Sequence, residues 1–98
     1  MAKRSSFGQN KHNAKVKQIA ERLRRKGWHV KADITDFEQP DPIGGKRKIP
    51  DIVAKKSGAK RIIEVETPET IAKDKEQHET FRRSAAQQHR TSFEIEEA

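Results

Sequence analysis

The chain has 98 residues, 31% of them hydrophobic and 38% charged, with a formal net charge of +7. That describes one small domain with a thin core, for which dimerisation would supply burial that so short a chain lacks. The absence of cysteine excludes disulfides and cysteine-based zinc sites, and no apolar run approaches the roughly 18 residues of a membrane span.

Lys3 and Arg4 precede no apolar stretch, so a signal peptide is not expected and a cytoplasmic (intracellular) protein is. Low hydrophobicity with high net charge leans toward disorder. The periodic segments that follow argue against it. Residues 1–9 show no period and read as a flexible basic arm, leaving 10–98 as the single domain. From Asn10 to Lys26, Val16, Ile19, Ala20 and Leu23 form the apolar stripe of an amphipathic helix. Gly27 is placed to end it, and Arg24 to Lys26 suit the negative end of the helix dipole.

Trp28 to Ile34 alternates apolar and polar residues as a half-buried strand does, with Trp28 as a core or interface anchor. Asp36 to Gly45 holds two prolines and a Gly-Gly pair and must be a loop. Two strand-like runs follow, Ile49 to Ala54 and Arg61 to Glu66, joined by a Ser57-Gly58 turn signal. With that turn at the centre, Asp51 lies directly opposite Glu64, and Glu66 projects on the side of Glu64. The other face pairs Ile52 with Ile63 and Pro50 with Val65. Thr67-Pro68-Glu69 has the order of a helix start, predicting a second helix to about His89. Ile71, Phe81 and Ala85 are its main apolar members. Thr91 to Glu96 alternates as a short last strand. The order is α-β-β-β-α-β, an α/β (α+β) fold with a small mixed sheet flanked by helices.

Like charges directly opposite in a hairpin are destabilising. A divalent cation held by oxygen ligands, Mg²⁺ or Mn²⁺, would compensate Asp51, Glu64 and Glu66. The alternative is an exposed sheet face with ordinary acids, neutralised by Lys55, Lys60 and Arg61. Charge is unevenly placed. Residues 1–26 hold nine Lys or Arg against one acid, Glu21, which is the footprint of a phosphate-backbone binder. Lys11, Lys15, Arg22 and Arg25, with Lys46, Arg47 and Lys48 before the hairpin, are the candidate nucleic-acid contacts. His78 and His89 are eleven residues apart, too far to share an ion, and all four histidines read as structural. No P-loop, dinucleotide fingerprint or Ser/His/Asp pattern is present.

Pro50-Asp51 followed by Glu64-Val65-Glu66 resembles the PD-(D/E)xK nuclease superfamily, the restriction-endonuclease-like fold. Within it, Arg22-Leu23-Arg24-Arg25-Lys26-Gly27-Trp28 and Lys46-Arg47-Lys48-Ile49-Pro50-Asp51-Ile52 are similar to archaeal Holliday-junction resolvases. The resemblance spans about residues 14–67. It implies the same α-β-β-β-α-β core in near-minimal form, DNA as the partner and metal-dependent cleavage of its phosphodiesters. Asp51 and Glu64 would bind the ion, and Glu66 would stand where the motif usually has a water-activating Lys. Those resolvases also carry an acid early in the first helix, where this chain has Val16. Gln77-His78-Glu79-Thr80-Phe81 is similar to the Gln-x-x-x-Tyr element of RecB-like members, whose Gln contacts substrate or the acids. Lys73 and Gln77 are the supporting candidates. The missing Lys and helix acid favour a different outcome, a nucleic-acid-binding module that has lost catalysis. A third reading drops the fold altogether, leaving a simple basic protein that binds nucleic acid through residues 1–26.

Overall fold

A computed structural model of the chain describes residues 6–68, 70, 71 and 73–98. Its elements run α1 (Ser6–Arg25), β1 (His29–Ala32), β2 (Ile52–Lys56), β3 (Ala59–Glu66), α2 (Lys75–Gln87) and β4 (Thr91–Glu97). The four strands form one mixed sheet in the order β1-β2-β3-β4, with the first two pairings antiparallel and the last parallel. The element order is the one the periodicity predicts.

The β2–β3 hairpin turns at Ser57 and Gly58, both with positive φ (49° and 84°), as a two-residue turn between twisted strands requires. Ile52 pairs with Ile63 and Ala54 with Arg61, so the register is the expected one. Ile52, Ala54, Ile63 and Val65 fill one face with Val30 and Ala32 of β1. Val16, Ile19, Ala20 and Leu23 of α1 pack against them as the main core. A smaller cluster holds α2 on the opposite face: Ile62, Phe81 and Ala85, with Ile43 and Phe93 beside them.

Gly27 (φ 91°) ends α1 in a left-handed turn. Trp28 N–H donates to Leu23 O (3.1 Å) and Gly27 N–H to Arg24 O (3.1 Å), the paired bonds of a Schellman cap. That reversal feeds the chain directly into β1. Trp28 is half-buried, with the Arg61 guanidinium 5.5 Å from its ring.

Several boundaries differ from expectation, among them the first hairpin strand, which starts at Ile52 and not at Ile49. α1 starts at Ser6, so residues 6–9 of the expected arm are helical and Gly8 is buried; residues 1–5 lie outside the described residues. Periodicity misses this turn because Gln9, Asn10 and Lys11 are polar and exposed. β1 is shorter than Trp28 to Ile34, closing at Ala32. The second helix does not begin at Thr67 but at Lys75, after successive turns in which Thr70 N–H donates to Thr67 O and Asp74 N–H to Thr70 O. Side-chain bonds explain the delay. The Thr70 hydroxyl accepts from Thr67 N–H (3.2 Å) and donates to Glu66 (2.6 Å), which competes with a helical start. Glu69, the expected first-turn acid, lies outside the described residues.

Candidate metal centre

The hairpin ladder stops at Ile52–Ile63, because Pro50 has no N–H to continue it. Acid side chains take over. Asp51 N–H donates to Glu64 Oε2 (2.7 Å), and Val65 N–H donates to Asp51 Oδ2 (2.8 Å). This exchange across the open end of the hairpin holds the two carboxyl groups beside each other. Asp51 is half-buried, whereas Glu64 and Glu66 are each only 1% exposed beneath α2.

Helix α2 supplies the partners of the buried pair. Gln77 Nε2 donates to Glu64 Oε1 (2.6 Å), and His78 Nε2 lies 2.9 Å from Glu66 Oε1. The other Glu66 oxygen accepts from the Thr70 hydroxyl. From the other side of the sheet, α1 contributes His12, whose Nε2 is 3.2 Å from Asp51 Oδ2. His12 sits one helical turn before Val16, so the first helix does reach the acids, through an imidazole and not a carboxylate.

Burial pushes the Glu64 carboxyl up to about 9, with the neighbouring Asp51 charge adding to the effect. The hydrogen bonds from Asp51 N–H and Gln77 oppose the rise without cancelling it. At neutral pH, without a cation, Glu64 therefore keeps its proton. A bound dication inverts that preference by favouring the carboxylate. The Asp51 and Glu64 oxygens suit a hard divalent cation, so the residues fit the ion that the nuclease resemblance implies. On the α2 side, Glu64, Glu66 and His78 each offer a ligand atom, and these atoms lie within 4.8 Å of one another. This buried group is able to hold a metal ion.

Two of the three basic residues that would have neutralised the acids as surface pairs are engaged elsewhere. Arg61, on the opposite face, forms a two-point pair with Glu94 (2.7 and 3.0 Å), and Lys60 Nζ donates to Gln88 (3.0 Å). His12 and His78 occupy the positions beside the acids. Their sequence signal was present: extending the α1 stripe back one turn reaches His12, and Gln77 and His78 precede Phe81 by four and three residues.

At roughly 100° per residue, Lys11, Lys15, Arg22 and Arg25 fall within an arc of about 80° on one flank of α1. Lys15 is half-buried and the others are exposed. Lys46 pairs with Glu76 in the first turn of α2, next to Gln77. Lys46 and Lys48 hold the Glu76 carboxyl below its ordinary value, the Lys46 hydrogen bond contributing most. Arg47 is exposed in a left-handed turn (φ 51°), and Lys73 is exposed on the turns before α2. Among the described residues, no helix is long and apolar enough to cross a membrane. No protein-family model, curated protein or solved structure matches the chain.

Proposed function

We propose that this protein is a metal-dependent endonuclease of the PD-(D/E)xK type, cleaving DNA phosphodiesters at Asp51 and Glu64. The observation that carries this reading is the side-by-side placement of these two carboxyl groups, each anchored by the other strand's backbone N–H. Asp51 and Glu64 would hold Mg²⁺ or Mn²⁺, which when bound neutralises phosphodiester charge and makes water more acidic. His12 orients Asp51, Gln77 orients Glu64, and the basic flank of α1 with Lys46, Arg47 and Lys48 holds neighbouring phosphates.

Glu66 has a different place from the one its motif position suggests. Its oxygens meet His78 and Thr70 beneath α2, away from the half-open Asp51. That internal pairing also favours a second reading, a DNA-binding module in which two imidazoles balance the acids and no cleavage occurs.

The test incubates the purified chain with supercoiled, single-stranded and four-way-junction DNA in Mg²⁺, Mn²⁺ or EDTA. Asp51→Asn is the matched control, because Asn can still accept the Val65 N–H, whereas Asp51→Ala would orphan it at about 1–3 kcal/mol. Metal-dependent cutting that falls by at least about 100-fold in Asp51→Asn supports the nuclease. DNA left intact in every metal but bound tightly supports the binding module.

A further inference from the structure

We propose that Glu64, Glu66 and His78 form a second cation site, selective for a first-row transition ion such as Mn²⁺, Co²⁺ or Zn²⁺ over Mg²⁺. The site stands independently of DNA cleavage, although it shares Glu64 with the proposed nuclease centre.

Glu64 and Glu66 are successive same-face positions of β3, and His78 reaches them from the first turns of α2. Ligand bonds of about 2.0–2.2 Å set donor atoms roughly 3–3.5 Å apart in a tetrahedral sphere. His78 Nε2 and Glu66 Oε1, at 2.9 Å, are already near that spacing. To admit an ion, that pair has to part slightly, with a Glu64 oxygen, within 4.8 Å of both, completing the set.

The surroundings are those of a supported ligand set. Thr70 Oγ1 donates to Glu66 Oε2, Gln77 Nε2 to Glu64 Oε1, and Asp51 N–H to Glu64 Oε2. These bonds fix the direction of both carboxyl groups while leaving each oxygen a further lone pair. Thr70 is fully buried, so its contribution is positional.

Ion preference follows from the donors and the burial. Imidazole nitrogen suits Zn²⁺ and its first-row neighbours, whereas Mg²⁺ demands octahedral oxygen and keeps several waters. Exposures of 1%, 1% and 5% leave little room for a hydrated ion. Two carboxyl groups buried together are costly unless protonated, paired or metal-bound, and a dication satisfies both at once. The same site accounts for an acid where the nuclease motif places Lys. At this position Glu66 acts as a ligand and not as a base on water.

Cobalt gives a direct readout. The full chain, stripped with EDTA and then freed of it, is titrated with Co²⁺ while its visible absorption is recorded. One equivalent of Co²⁺ should bind with the intensified absorption of a low-coordinate site, be displaced by Zn²⁺ and withstand millimolar Mg²⁺. His78→Gln should weaken binding by at least about 100-fold, and Thr70→Val by about 10–100-fold. Asp51→Asn should bind Co²⁺ within about threefold of the parent. Because His78→Gln could disturb α2, the parent chain carries its own control. On adding Zn²⁺, the histidine-ring nitrogen resonances should show one large change, at Nε2 of His78.

Several results would overturn the proposal: no stoichiometric Co²⁺ binding, displacement by Mg²⁺ as readily as by Zn²⁺, full affinity in His78→Gln, or a zinc response at another histidine. Loss of Co²⁺ in Asp51→Asn would also do so, by moving the ion to the nuclease centre. Failure to cut DNA sinks the nuclease reading alone and leaves the Co²⁺ result standing.

Discussion

Glu64 carries two obligations that pull in opposite directions. Its oxygens close the open end of the hairpin, which needs acceptors, while its burial beside Asp51 penalises the negative charge that makes a good acceptor. The compromise without metal is a neutral carboxyl. Its folded value, about 9, lies above the ordinary carboxylate value of the unfolded chain, so the native state binds the extra proton between them. The stability this supplies is fully present below the unfolded value and is lost as pH rises through the folded one. In EDTA, the stability of the parent relative to Glu64→Gln should therefore fall between about pH 5 and pH 9, by at most about 1.4 kcal/mol per pH unit. The Gln77 amide can turn over to meet the new amide, which keeps the comparison close. Urea unfolding at a series of pH values reads the effect, and parallel curves for the two proteins would remove Glu64 as the titrating group. At this scale the sequence was most informative about the acids, named Gln77 as one partner, and did not say which acid each imidazole meets. Asp51 and Glu64 were legible because turn residues and a two-residue period set their register. The pairings of His12 with Asp51 and His78 with Glu66 join separate segments: helical spacing puts both imidazoles on buried faces, but it does not specify the acid each one meets.

The two helices are held to the sheet by different physics. α1 sets a continuous stripe of Val16, Ile19, Ala20 and Leu23 against the main core, and this stripe is plain in its spacing. α2 has only Phe81 and Ala85 to set against Ile62, with Phe93 and Ile43 at the margin, and Gln77 and His78 complete its buried face. Apolar burial contributes roughly 25 cal/mol per Å², while a hydrogen bond nets only about 0.5–1.5 kcal/mol. α2 should therefore open before α1. In native-state hydrogen exchange, the α2 amides should share an opening free energy below that of α1 and of β2–β3. Equal protection of the two helices would contradict this division. The start of α2 at Lys75, and not at Thr67, has a related origin. Thr67-Pro68 has the local chemistry of a helix cap, but Thr70 is recruited by Glu66, a contact that exists only once the acids are buried. β4, in contrast, sits where the polar and apolar order of its sequence predicts, although Phe93 to Glu96 are all half-buried.

Across the whole molecule, the net charge of +7 is sorted by position. The basic flank of α1 faces outward, whereas the acids of β3 are buried and Glu94 of β4 is paired with Arg61. His12 links this flank to the acids, since the helix that carries Lys11, Lys15, Arg22 and Arg25 also touches Asp51. If that flank grips phosphates, replacing Lys11 and Arg22 by Gln should weaken binding to all DNA sequences alike. Each lost contact should reduce the slope of log affinity against log salt by about 1. Fluorescence anisotropy with labelled DNA across a salt series measures both. An unchanged slope would put the phosphate contacts elsewhere, with Lys46 and Arg47 as the next candidates. The Asp51→Asn chain belongs in the same series. A simple basic binder keeps both affinity and slope in that variant, in Mg²⁺ as in EDTA. A protein that brings the phosphodiester to Asp51 through a metal ion loses the Mg²⁺-dependent part of its affinity while the salt slope set by α1 stays. The pair of variants thus separates binding along the helix from engagement at the acids, which the total charge by itself cannot do.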